Sequence, residues 1–233
     1  MLHFENDVHK ICVDVCVNEK IMPRTKDQNE KITAKRKECI LHSALTLFAI
    51  YGYHAINIEE IGKYSKCSRT LIYHYFDSKE AIFHELMKKM VHKITEITDS
   101  IDYDQKAKYS LYELIDKLLH KMNHGKEQKY MTYVIYLLLN LPLQEEYIPK
   151  PKCKDCCKER TLGQKRLFEI IHILIERGQK ENEFYQGDPK EYTIAVLSLI
   201  KGLAYNRIYM KKNYTPVSAK TVLNLVMKKE EIL

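Results

Sequence analysis

Two groups of residues in this chain have types and spacings that could do chemistry. The first is Arg69, Thr70, Tyr73, His74, Tyr75 and Lys79, within the run NIEEIGKYSKCSRTLIYHYFDSKE at positions 57–80. An arginine fork matches the acceptor edge of a guanine, and a threonine hydroxyl suits base edges generally. Tyrosine, histidine and lysine can donate to phosphate oxygens. The second group is Cys153, Cys156 and Cys157, a C-x-x-C-C cluster among Lys150, Lys152, Lys154, Lys158 and Arg160. Basic neighbours favour the thiolate, the form that reacts with oxidants and binds soft metals. A zinc site needs a fourth ligand, which Asp155 or a second chain would have to supply. The plainer reading of these cysteines is an exposed basic loop with incidental thiols.

The first group needs short helices to hold it. Asn57 suits an N-cap, and Glu60 three residues on completes a capping box. Ile58 and Ile61 give that helix its buried side. Ser65, Lys66 and Cys67 are too polar to continue the stripe and are expected to form a turn. Ser68 then caps a second helix over 69–76, which turns Leu71 or Ile72, and Phe76, inward. Arg69, Thr70, Tyr73 and His74 fall on or near the opposite side. Asp77 and Ser78 break this helix and start the next at Lys79. Such a helix-turn-helix can lay its second helix in a DNA major groove. Periodicity alone allows equally that the two helices belong to an ordinary helical core.

Beyond spacing, residues 37–86 resemble the DNA-binding domain of the TetR family of bacterial transcriptional regulators. The resemblance rests on Ile40, Ala44, Leu47, Phe48, Gly52 and Tyr53, then Ile61, then the segment 71–76 followed by Ser78, Lys79 and Glu80. It implies an all-α fold: an N-terminal three-helix helix-turn-helix domain, then a helical-bundle domain for ligand binding and dimerisation. It implies DNA contacts from Asn57, Ser68, Arg69, Thr70, Leu71, Tyr73, His74, Tyr75 and Lys79, with Arg69 reading a base. Two positions depart from the family pattern. Lys66 stands where glycine is usual, a strain on the order of 1 kcal/mol if the backbone there is left-handed. Glu59 stands where arginine or another polar residue is frequent, so no DNA contact is carried over to it.

The expected organisation is an extension and basic arm at 1–31, the helix-turn-helix domain at 32–78 and the bundle at 79–233. Positions 1–21 do not resemble the start of the family, and Met22 is the expected initiator unless 1–21 form an appendage. Cys12 and Cys16 are spaced to share a metal if helical, but nothing obvious completes the set. Arg24, Lys26 and Lys31 are candidates for salt-dependent backbone contacts, followed by Lys35, Arg36 and Lys37. Helix one is predicted over 33–51, with Gly52 as its left-handed cap. A long helix from 79 carries Ile82, Leu86, Met90, Ile94, Ile97 and Ile101; by resemblance it is the lever that relays a ligand signal. Further helices are predicted over 109–122 and 131–141. Positions 143–160 read as a loop with a short helix, followed by a helix over 162–178. Another helix opens at Asp188-Pro189, and a last one follows Pro216. In the family the last two long helices pair with their copies.

Composition is compatible with this. The chain has 233 residues, 45% of them hydrophobic and 30% charged, enough for a real core. Its formal charge of +7 permits polyanion binding, although the basic residues are widely spread. No apolar run is long enough for a membrane span, and the first residues do not read as a secretion signal. The seven cysteines are odd in number and unevenly placed, so reduced thiols are expected. No phosphate loop, nucleophile elbow or metal-histidine motif argues for an enzyme, and neither a catalytic residue nor a cofactor is predicted. The expectation is a cytoplasmic homodimeric repressor on a pseudo-palindromic double-stranded DNA operator, released by an unknown small-molecule effector. Its pocket would lie within 87–203, with Tyr133, Tyr136 and His172 as possible polar contacts. The alternative is a regulator that signals through thiol or metal chemistry at Cys153, Cys156 and Cys157.

Overall fold

The computed structural model describes the backbone of residues 26–140 and 154–228, and the side chains of all of these except 154–164. The expectations for 1–21, Met22, Arg24 and Cys153 lie outside the described residues. What is described is helical, as expected, and its contacts divide it into two units after Leu86.

The first unit holds α1 (Lys26–Tyr51), α2 (Ile58–Ser65), α3 (Arg69–Tyr75) and the start of α4 (Lys79–Asp99). Helix α1 begins seven residues before the predicted position 33. In its first turns Asp27 pairs with Lys31 at 2.8 Å, one turn on, which supports the extension. Ile40, Ala44, Leu47 and Phe48 form its buried stripe. Gly52, at φ 84°, ends the helix by donating its N–H to the Phe48 carbonyl at 3.0 Å. Cys39 is buried, with its Sγ 3.6 Å from the Ser65 carbonyl oxygen. Cys67 is a buried thiol.

The second unit holds the rest of α4, α5 (Ala107–Asn123), α6 (Gln128–Asn140), α7 (Lys154–Lys180), α8 (Pro189–Met210) and α9 (Ala219–Leu223). Helix α5 packs on α6, α7 and α9, while α8 packs on α6 and α7. Leu111, Leu114, Ile115 and Leu118 of α5 are fully buried at the centre. Asp188 caps α8, with Pro189 in the first turn as predicted.

Two expectations need correction. Positions 154–160 are not loop but the opening of α7, so Cys156 and Cys157 sit on a continuous helix. The run KDCCKER is rich in helix formers and precedes a strongly packed segment, so elongation costs little once the helix exists. The last described helix, α9, has five residues and packs on α5 of its own chain, so it is not a long pairing helix. After it the chain joins the loop following α7 through a single antiparallel bridge, Phe184 to Met227.

Candidate nucleic-acid interface

The helix-turn-helix is built on four local devices. The Asn57 side chain accepts from the Glu60 N–H at 2.9 Å, and Glu60 accepts from the Asn57 N–H at 2.7 Å, closing the capping box. Lys66 takes the left-handed conformation, φ 55° and ψ 30°, and its N–H closes α2 on the Gly62 carbonyl. The missing side chain of Gly62 lets the turn come close: a Cβ there would stand 2.8 Å from the Cys67 carbonyl oxygen. Ser68 then caps α3 by accepting from the Leu71 N–H at 3.1 Å.

Helix α3 is anchored by Ile72, which is 0% exposed, and by Phe76 just beyond its end. That anchoring turns Ser68, Arg69, Thr70, Tyr73 and His74 to solvent, while Leu71 and Tyr75 are half-buried. Periodicity offered Leu71 or Ile72 for the inward position, and the structure selects Ile72. Tyr75 lies edge-on to His74 at 5.1 Å, and the Lys37 ammonium stands 6.0 Å from its ring.

Lys79 sits differently from the exposed residues. Its ammonium donates to the Tyr53 carbonyl at 3.0 Å and the Ile56 carbonyl at 2.8 Å, and lies 4.2 Å from the Tyr53 ring. The Tyr53 hydroxyl donates to Glu80 at 2.9 Å, and the Tyr53 ring packs on Phe48 and Phe83. Burial lowers the Lys79 pKa, opposed by Glu80 and Glu60. Burial also raises the Tyr53 phenol, reinforced by Glu80. Glu80 itself falls below the usual carboxylate range: burial pushes it up, but hydrogen bonds from its own N–H, Tyr53 and Ser78 outweigh that. Lys79 and Glu80 therefore fix the start of α4 against the segment that leads into α2.

One contact was not legible in the sequence. Arg69 Nη1 donates to Glu59 Oε1 at 2.9 Å, and the guanidinium carbon lies 5.5 Å from the centre of the Tyr73 ring. The pair joins the first turns of two different helices, so no helical period announces it. The opposite charges of Glu59 and Arg69 are the signal that the sequence carries of it.

The other candidates are spread more widely. The Tyr136 ring approaches that of Tyr205 at 6.0 Å, and His172 Nδ1 is 3.5 Å from Thr193 Oγ1. The side chains of Cys156 and Cys157 lie outside the described residues, as does Cys153.

Residues 40–86 match the family model for bacterial regulatory proteins of the tetR family. This segment is a domain of the TetR family. Among curated relatives the chain is similar to the HTH-type transcriptional regulator RutR of Escherichia coli K12, 28% identical over 68 residues. That match covers 29% of this chain and 32% of RutR. It is also similar to YhgD of Bacillus subtilis, an uncharacterised HTH-type transcriptional regulator, 22% identical over 82% of this chain and 92% of that one. The likeness of fold extends further than the matched domain. The crystal structure of the MbdR regulator from Azoarcus sp. CIB superposes with a TM-score of 0.58 at 22% identity, covering 82% of this chain and 94% of that one. No helix among the described residues is long and apolar enough to cross a membrane.

Proposed function

We propose that this chain is a homodimeric transcriptional regulator that represses from a DNA operator and is released by a small molecule. The observation that carries the DNA-binding part is the orientation of α3: Ile72 and Phe76 anchor it while Arg69, Thr70, Tyr73 and His74 face solvent. In this reading residues 32–78 bind DNA, 1–31 add a basic arm, and 79–233 bind the effector and dimerise, in the cytoplasm. Arg69 contacts a base, with Thr70 and Leu71 beside it. Asn57, Ser68, Tyr73, His74 and Tyr75 position α3 on the backbone. Lys79 acts there through the segment it pins, with any remaining donor aimed at phosphate. The YhgD match, which covers most of both chains, supports a regulator's role.

Dimerisation falls to α7 and α8. Ile194, Tyr205 and Tyr209 are exposed on one face of α8, with exposed Ala195 and Ser198 allowing close approach, and Ile173 is exposed on α7. Two heads so related occupy successive major-groove faces of a pseudo-palindrome, about one helical turn or a multiple apart. An effector releases DNA only by binding the non-DNA-binding arrangement more tightly.

The test is a footprint of the purified protein on the DNA upstream of its own gene, beside Arg69→Ala. The expected result is a protected inverted repeat, and a loss on the order of tenfold in affinity for the variant. No protection at any concentration that keeps the protein soluble overturns the reading.

A further inference from the structure

Glu59 puts a negative charge on the face that the proposed function turns towards a polyanion. It lies in the first turn of α2, where it suits the helix dipole. Dipole stabilisation does not require the carboxylate to meet Arg69, yet its Oε1 accepts from Arg69 Nη1 at 2.9 Å. Both side chains are well exposed, 59% and 61%, so the pair adds little to the stability of the fold. Its effect is on the arginine. A free arginine side chain has many rotamers, and ordering it at a base edge costs conformational entropy. Here Glu59 holds one end of the guanidinium while the Tyr73 ring lies under it at 5.5 Å. The guanidinium has five donors, and the Glu59 contact uses one on Nη1, which leaves donors to meet a guanine edge.

We propose that Glu59 is a specificity-determining residue that positions Arg69 for base recognition and cancels its attraction for phosphates in general. The inference rests on the DNA-binding reading above and deepens it. Two consequences follow from the charge. On the correct sequence the ordered fork meets its base at a reduced entropic cost. On other sequences the pair is close to neutral and contributes little counterion release, so non-specific affinity stays low. Removing the carboxylate sets Arg69 loose to pair with any phosphate.

The test uses the full chain and a duplex that the wild type selects from a randomised pool, beside a scrambled duplex of the same composition. Wild type, Glu59→Gln, Glu59→Ala, Arg69→Ala and Glu59→Gln/Arg69→Ala are titrated at several salt concentrations. For Glu59→Gln the ratio of selected to scrambled affinity should fall by roughly fivefold or more. Its affinity for the scrambled duplex should rise, and its salt slope there should steepen by about one. In the Arg69→Ala background Glu59→Gln should lower the ratio no further. Selection repeated with Glu59→Gln and with Arg69→Ala should relax the same base pair.

Equal gains on both duplexes for Glu59→Gln would show simple repulsion of phosphate and overturn the proposal. So would relaxation at a base pair other than the one Arg69 reads, or an undiminished effect without Arg69. A wild type that selects no duplex overturns the DNA-binding function and this inference together, whereas a selective wild type with indifferent Glu59 variants overturns the inference alone. Glu59→Ala repeats each measurement without the residual amide hydrogen bond, and an unchanged melting temperature confirms that neither variant acts through folding.

Discussion

Around Arg69 the polar groups that fix the helices act over short stretches of chain. Asn57 pairs with Glu60 and Ser68 with Leu71, three residues apart, and even Tyr53 and Glu80 are only 27 apart. In the second unit the corresponding ties are long. Lys106 reaches Glu183 across 77 residues, and Arg177 donates to the Tyr103 carbonyl across 74. Helices of eight and seven residues cannot hold themselves together in water, so α2 and α3 depend on caps and on the few side chains they bury. The second unit has long helices, and its polar ties hold the connections between them. A mutation should therefore act locally in one unit and across distant segments in the other.

The sharpest way to break this contrast is Phe184→Ala. Phe184 is fully buried, and its ring fills the space that Gly178 leaves, where a Cβ would stand 2.3 Å away. The same residue forms the bridge to Met227. Truncation should cost about 3–5 kcal/mol in urea denaturation. Hydrogen exchange should quicken both in the end of α7 and in the segment after α9. Exchange that quickens only beside position 184 would show that the long ties do not couple distant segments.

A smaller effect is expected of Glu183→Gln, about 1–3 kcal/mol. The Glu183 side chain is only 2% exposed, and Lys106 and Lys108 stand 3.0 and 3.3 Å from its Oε1. Burial alone would raise its pKa, but the hydrogen bonds and charges of the two lysines outweigh burial and leave it below the usual carboxylate value. A depressed carboxylate contributes stability that is complete above its unfolded pKa. That stability fades as pH falls from there through the lower folded value. The melting temperatures of wild type and Glu183→Gln should thus differ most near neutral pH and converge in acid. A constant gap across the acid range would assign the loss to packing rather than to charge.

In the first unit Asn57→Ala should cost about 1 kcal/mol, the ordinary value of a lost N-cap. Amide exchange should rise through α2 and leave α5 to α8 unchanged. Loss of protection in α8 would contradict the separation of the two units.

The same difference governs how much could be read before the structure. Asn57, Ser68 and Asp188 announce their helices because a cap, a turn and a first apolar residue sit within a few positions of one another. The inward side of α3 follows from Ile72 and Phe76 at helical spacing. The docking of Lys79 on the Tyr53 and Ile56 carbonyls did not show, because a lysine after a break looks the same whether its stem folds back or reaches out. The early starts of α1 and α7 were missed because polar helix formers carry no apolar stripe. Glu183 gave no sign of burial, since the two lysines that hold it lie far away in sequence. The Arg69–Glu59 pair is short in space but crosses a turn, so it belongs with the hidden contacts although it lies in the legible unit.

The smallest expected effect tests the local side of the contrast with a gain. Lys66 is non-glycine in the left-handed region at φ 55°, and a side chain there costs energy that glycine would not. Glycine also has more conformational freedom to lose on folding, which offsets part of that relief. The net change for Lys66→Gly should be a stabilisation below about 1 kcal/mol, read as a rise in melting temperature with no change in the urea slope. If Lys66 serves only to close α2, the ratio of selected to scrambled duplex affinity should stay at the wild-type value while the salt slope flattens by no more than about one. A destabilised Lys66→Gly would mean that the lysine side chain contributes more to the turn than its backbone costs, and the strain at this position would have to be counted as offset within the unit.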